Sequence, residues 1–212
     1  MFIYQVYGVT FSTEQPFHIP LIPGNEPVDV ALHIQPATSI EKARLEQCEP
    51  VNLTRVQTPD GLEWVHIFHM DDQYALQFTD YVDFWVSPTS ITAYIQQLND
   101  EMTLQMLFLG SVLALWLYQQ GRFGLHASSI SMHDHALIFS AYNHSGKSSL
   151  AASCLLAGYA LLADDFAGLH QHNGINEVQP GFPQIKMWED QAALFFEDTS
   201  VLCIAEHHAR LP

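Results

Sequence analysis

"SAYNHSGKSSLAASCLLAGYALLADDF", residues 140–166, sets the architecture of the second half of this chain. The apolar run "ALIFS" (136–140) enters it as a strand. A polar loop follows and closes in Gly146-Lys147-Ser148-Ser149. From Lys147 onward the Ala and Leu content favours a helix, and Gly158 is placed to stop it as a C′ residue. "YALLADDF" (159–166) then reads as a second apolar strand that delivers Asp164 and Asp165 at its end. Strand, loop, helix, strand with carboxylates is the order in which a phosphate-binding loop works: loop amides and the helix dipole face phosphate oxygens, the lysine reaches the β and γ phosphates, and the hydroxyl ligates Mg²⁺. Lys147 and Ser148 occupy those two positions. Ala141 stands where such a loop usually opens with glycine and His144 sits in its middle, so Gly146 alone supplies the freedom a wrapped backbone needs.

Outward from this stretch, "FGLHASSISM" (123–132) reads as one strand and His133-Asp134-His135 as a turn, so that a hairpin leads into the loop. The uncharged run Met102 to Gly121 has about the length of a bilayer span. Its Thr, Gln, Ser and Gly residues and the Gly121-Arg122 ending favour a buried core helix over 101–120 instead. Residues 1–86 read as β-rich: apolar or alternating stretches at 2–11, 28–34, 62–68, 74–78 and 81–86 are punctuated by Pro23-Gly24-Asn25, Pro59-Asp60-Gly61 and Asp71-Asp72. Ser87-Pro88 is expected to open a helix over 88–99, which puts the boundary between a β-rich part (1–87) and a nucleotide-binding part (88–212) there. Beyond Asp165, Asn173-Gly174 is expected to turn a hairpin between Leu169 and Val178, Pro180-Gly181-Phe182-Pro183 to form a loop, and 184–196 to be helical. Internal repeats and low-complexity tracts are not evident.

Composition narrows the function. With 23 acidic against 7 basic residues the formal charge is −16, which repels a phosphodiester backbone, and no basic stripe offsets it, so nucleic acid is not an expected partner. An anionic ligand must then be met locally, by backbone amides, a helix start or Lys147. Cys48, Cys154 and Cys203 are odd in number and far apart, which suits a reducing cytoplasm rather than a disulfide framework. No export signal is visible in Met1 to Tyr7.

Three motifs in series, "GLHASSI" (124–130), "SGKSS" (145–149) and "LLADDF" (161–166), resemble the C-terminal domain of HPr kinase/phosphorylase and its smaller relatives, including HPr-kinase-like enzymes of peptide biosynthesis clusters. The resemblance covers roughly residues 101–190, with His126 21 positions before Lys147 and Asp165 18 after it. It implies an α/β (α+β) P-loop, HPr-kinase-like domain on a mixed sheet, preceded by the β-rich N-terminal part. It also implies an ATP- and Mg²⁺-dependent kinase that phosphorylates a Ser or Thr hydroxyl of a peptide or protein. Carried over residue by residue, Ala141, Tyr142, Asn143, His144, Ser145, Gly146, Lys147, Ser148 and Ser149 would hold the nucleotide. Ser148 and Asp164 would hold Mg²⁺, Asp165 would accept the hydroxyl proton, and His126 would orient the acceptor or the phosphates. Glu189 or Asp190 is the candidate for the family's further acidic ligand, and Arg210 is the only basic residue near the chain's end.

A second reading stays open: a non-catalytic nucleotide-binding or peptide-docking scaffold, suggested by Ala141 and His144 in the loop. The pairs His133/His135, His170/His172 and His207-His208 have metal-binding spacing, but without nearby cysteines a structural zinc site is the weaker reading. The aromatics Trp64, Phe68, Tyr74, Phe78, Phe84 and Trp85 are most simply sheet core, with a peptide-docking edge strand as the alternative. A homo-oligomer is left open.

Overall fold

The computed structural model describes residues 1–51, 64–70, 73–97, 100–142, 145–187 and 189–196. The Pro59-Asp60-Gly61 and Asp71-Asp72 turns, Asn143, His144, His207, His208 and Arg210 fall outside them. The fold is mixed: one large sheet of parallel and antiparallel strands, two small sheets and a few helices, an α+β arrangement.

The stretch 2–11 holds a hairpin. β1 (Phe2–Val6) and β2 (Val9–Thr13) pair in a hairpin because Tyr7 and Gly8 both take positive φ, 53° and 71°, and make a two-residue turn whose twist matches the strands. β3 (Ile22–Pro23), β4 (Val30–Pro36), β5 (Val65–Met70), β6 (Gln73–Phe78), β7 (Val82–Val86) and β8 (Ser90–Ile95) complete the large sheet in the order β3-β1-β2-β4-β8-β7-β6-β5. β4 runs parallel to both β2 and β8, and the other pairs are antiparallel.

One expectation fails here, and one element was not foreseen. The helix expected over 88–99 is not found in its described part, 88–97: β8 lies there, with Ile91 and Ala93 fully buried in alternation, and it belongs to the large sheet. Ser87 and Ser90 bond to each other across a turn, and the Pro88 carbonyl accepts the Trp116 indole N–H at 3.1 Å instead of starting a helix. Inside the stretch read as β-rich stands a short helix, α1 (Ser39–Leu45). Thr38 caps it with Glu41 reaching back, a capping box written in the sequence as Thr-x-x-Glu. α1 presses Leu45 onto Phe68 and Trp85, and Arg44 lies 4.4 Å over the Trp85 ring.

The apolar run forms a continuous helix, α2 (Glu101–Leu107), a π-helical turn (Phe108–Val112) and α3 (Leu113–Gln119), capped by Asp100. By length and composition it could cross a membrane. In this fold Phe108, Leu109, Val112 and Leu113 are fully buried in the same core as Phe11, Phe84 and Ile91 of the sheet. Each such side chain contributes about 1.5–3 kcal/mol by leaving water. Gln105, buried on the same helix, accepts the His18 and Ile19 amides and ties the β2–β3 connection to it.

After α3 come β9 (Phe123–Leu125), β10 (Ala127–Met132), β11 (His135–Ser140), α4 (Lys147–Leu156), β12 (Ala160–Ala163), β13 (Ala167–His172), β14 (Ile175–Gln179) and α5 (Glu189–Phe195). They form two three-stranded sheets, β11-β10-β12 and β14-β13-β9. β11 and β12 both run antiparallel to β10 and so run parallel to each other, joined by α4 in a crossover. The hairpin at Asn173-Gly174 forms as expected, with Leu169 opposite Val178. The single strand expected over 123–132 is instead broken at His126, and its halves belong to different sheets. The helix expected over 184–196 is confined to α5.

One polar group sits badly in the large sheet. Asp83 on β7 is 1% exposed; Oδ2 accepts the Gln96 amide at 2.9 Å, and Oδ1 has no partner among the described residues. Burial pushes its carboxyl above the ordinary value, outweighing the Gln96 bond, the nearby Gln77 amide and the charge of Lys42. The folded chain therefore holds this proton to higher pH than the unfolded chain, and the stability of the neutral form is lost as pH rises through the folded value. Asp83→Asn is expected to raise Tm at pH 7 by about 2–4 °C and to flatten the fall in Tm as pH rises above the ordinary carboxyl value of about 3.9, checked by calorimetry across pH.

Candidate functional site

The site is built where β12 gives out. Ala163 ends the strand, Asp164 follows it into the interior at 5% exposure, and Asp165 turns the chain at φ 68°, a conformation that Asp tolerates better than most residues. Phe166 then swings back so that its ring covers Gly124, where a Cβ would lie only 2.1 Å from it. That contact fixes β9 against β13, and the break after β9 leaves His126 beside the turn. Tyr7 closes the site from the N-terminal hairpin, packing edge-on against Phe166 at 5.0 Å and near Phe182 at 6.4 Å. Its amide donates to the Pro180 carbonyl at 2.7 Å.

Asp164 is held by three donors from separate segments. Oδ1 accepts the hydroxyls of Ser128 on β10 and Ser148 on α4, the latter at 3.0 Å, and Oδ2 accepts the Lys186 amide at 2.8 Å. Asp165 faces the other way. Its Oδ2 is 2.6 Å from the Lys186 ammonium and its Oδ1 is 3.4 Å from His126 Nδ1. Burial raises the Asp165 carboxyl, yet the charge and hydrogen bond of Lys186, with His126 and Lys147 behind them, hold it below the usual carboxylate range. The Tyr7 phenol is pushed up, first by burial and then by the charges of Asp165 and Asp164.

The loop presents α4 end-on. Gly146 takes φ 85° at the helix start, and a Cβ there would meet nothing within 4 Å among the described residues, which leave space beside the first turn. The Lys147 ammonium turns back onto the loop and donates to the Ala141 and Tyr142 carbonyls, each at 3.2 Å. The Ser145 amide closes the loop on the Tyr142 carbonyl at 3.3 Å. Tyr142 is 92% exposed.

Of the residues singled out from the sequence, His126, Ser148, Asp164 and Asp165 come together as a connected set; Lys147 adds its field but makes no bond to either aspartate. Asn143 and His144 lie outside the described residues. No group of three or more His, Cys, Asp or Glu side chains that could hold a metal occurs among the described residues, so Asp190 is not gathered to Asp164 and Asp165. The described histidine pairs make no zinc cluster either; His170 and His172 stand 6.4 Å apart, ring to ring.

Two residues that sequence reading passed over complete the site. Ser128 stood inside "GLHASSI", a motif read only for its histidine, and Lys186 was assigned to a helix. The Lys186 backbone is not helical because its amide is committed to Asp164.

No family model, no curated protein and no solved structure matches the chain.

Because Asp165 is held low, the pairing contributes stability at neutral pH that is lost as pH falls through its folded value. Carboxyl ¹³C NMR is expected to place its midpoint below the ordinary value of about 3.9, and Lys186→Met to move that midpoint upward. A midpoint unmoved by the substitution would show that Lys186 does not govern this carboxylate.

Proposed function

We propose that the chain is an ATP- and Mg²⁺-dependent kinase of the HPr-kinase-like class that transfers the terminal phosphoryl group to a Ser or Thr hydroxyl of a peptide or protein. The observation that carries this reading is the division of labour between adjacent carboxylates: Asp164 is tied to the hydroxyl of the loop serine, and Asp165 points to His126 and Lys186. A hydroxyl and a carboxylate 3.0 Å apart suit Mg²⁺, which takes hard oxygen ligands and is commonly bound through one or two carboxylates plus substrate phosphates. The open space at Gly146 suits a phosphate at the start of α4. When bound, the metal would neutralise charge on the phosphates.

In this reading Lys147 leaves the Ala141 and Tyr142 carbonyls to meet the phosphates. The acceptor oxygen bonds to the γ-phosphorus as the bond to ADP breaks, and the hydroxyl proton passes to Asp165. A carboxylate held ionised suffices because the transition state is loose and depends on positioning more than on strong deprotonation. His126 and Lys186 orient that carboxylate from its two oxygens.

A second reading, a non-catalytic nucleotide-binding or peptide-docking scaffold, is favoured by Lys147 being satisfied within its own loop. The two readings separate in one experiment: incubate the chain with γ-labelled ATP, Mg²⁺ and Ser- or Thr-containing peptides encoded beside it. Transfer is expected, falling about 100-fold or more in Asp165→Asn and Lys147→Ala variants whose circular dichroism matches the parent. ADP binding by calorimetry with no transfer to any acceptor would favour the scaffold, and transfer unaffected by both substitutions would remove the assigned roles.

A further inference from the structure

A second recess lies at the far end of the ladder that carries the site. β9 and β13 pair antiparallel from Leu125 opposite Ala167 to Phe123 opposite Leu169, so His126 and Asp165 flank one end and Arg122 and His170 the other. At about 3.4 Å per residue, Arg122 is ~14 Å along the strand from His126. There a cleft of about 240 Å³ opens, lined by Gln5, Tyr7, Arg122, Phe123, His170 and Gln179 among others. Tyr7, packed on Phe166, stands between this cleft and the aspartates.

Arg122 is the informative residue. The chain carries 23 acidic residues, yet this half-buried arginine pairs with no carboxylate among the described residues. One guanidinium N–H donates to the Gly8 carbonyl at 3.2 Å, which leaves most of its five donors without a partner there. The carbonyl end of α3, which its backbone amide closes on Leu117 at 2.9 Å, accounts for a positive charge at this place but not for the unfilled donors. His170 and the Gln5 amide add polar groups on the same walls, while the Gln179 amide donates to the Glu177 carboxylate opposite His170 at 3.4 Å, and Phe123, 65% exposed, offers a flat apolar face. A few convergent polar groups beside an aromatic face in a recess are the makings of a small-molecule site.

We propose that this cleft binds a small ligand bearing a carboxylate or phosphate next to a flat apolar body, with the anion on Arg122 and His170 and the apolar part against Phe123. It is separate from the loop at Gly146 and does not rest on the kinase reading. In a chain of net charge −16, only a locally placed guanidinium can draw an anion here, and its planar fork suits either anion in a bidentate fashion.

The test uses the full chain with two probes, benzoate and phenyl phosphate, titrated by ¹H–¹⁵N NMR and calorimetry; the tighter probe identifies which anion the cleft prefers. Binding is expected to shift the amides of Gly8, Phe123 and His170, and to weaken about 10-fold or more in Arg122→Gln. Because Arg122 also holds Gly8, His170→Ala and Phe123→Ala serve as variants that break no such bond, and each is expected to weaken binding several-fold. Lys147→Ala is expected to leave the affinity unchanged. Absence of binding by either probe would overturn the proposal, as would affinity lost in Lys147→Ala but kept in the three cleft variants.

Discussion

A buried carboxylate is costly, and the C-terminal half of this chain is arranged around satisfying one. Asp164 is 5% exposed, and its two oxygens take bonds from β10, α4 and the segment before α5. Left unpaired, an ionised carboxylate in such a place would cost several kcal/mol. With three donors it becomes a junction that sets where the helix, the strand and the loop can lie. The serine that a phosphate loop would offer to a metal is thereby aimed at the carboxylate from the next strand, before any ligand is considered. Asp165 is then left to turn the chain, and its positive φ sends the side chain away from Asp164 toward His126 and Lys186.

The N-terminal sheet is not a bystander to this. Its first hairpin carries Tyr7 into the C-terminal sheets, where a Cβ on Gly168 would lie 3.3 Å from the Tyr7 Cβ and one on Gly181 would lie 2.8 Å from its ring. Gly181 thus serves close approach rather than flexibility, and Gly168 lets the hairpin in with little to spare. Tyr7, Ala163 and Phe182 belong to the same core as the long helix and the large sheet, so packing is continuous from β7 to the strand that ends at the aspartates. One turn thus touches both the aspartate end of the β9–β13 ladder and the cleft at its other end.

What the sequence made legible follows from range. The strand, loop, helix and strand around Lys147 are local patterns of apolar runs and punctuation, and they stand where the residues place them. β8 was misread because Ser87-Pro88 is as good a turn as a helix start; what decides is pairing on both sides, with its hairpin neighbour β7 and with β4 from far along the chain. α1 was missed although its Thr38-x-x-Glu41 cap is written plainly, because the strand-rich surroundings set the expectation. At the site, His126, Ser148, Asp164 and Asp165 were legible as a motif series, whereas Ser128 and Lys186 were not. Their roles come from tertiary pairing with the aspartates, 36 and 22 positions away from Asp164.

Charge bears on how a strongly acidic chain would meet the anions proposed for it. The seven Lys and Arg residues are few, but Lys147 and Lys186 both act on Asp165, and Arg122 lies in the recess at the other end of the same two strands. Long-range attraction for an anionic ligand is absent, so recognition has to come from these fixed points at short distance, where solvent screens least. A lysine satisfied by its own loop carbonyls and another by Asp165 are cations kept in place in an acidic surround, with local acceptors that a phosphate would have to outcompete. If this loop takes a nucleotide as proposed, the carbonyl bonds of Lys147 are a barrier that binding would have to overcome.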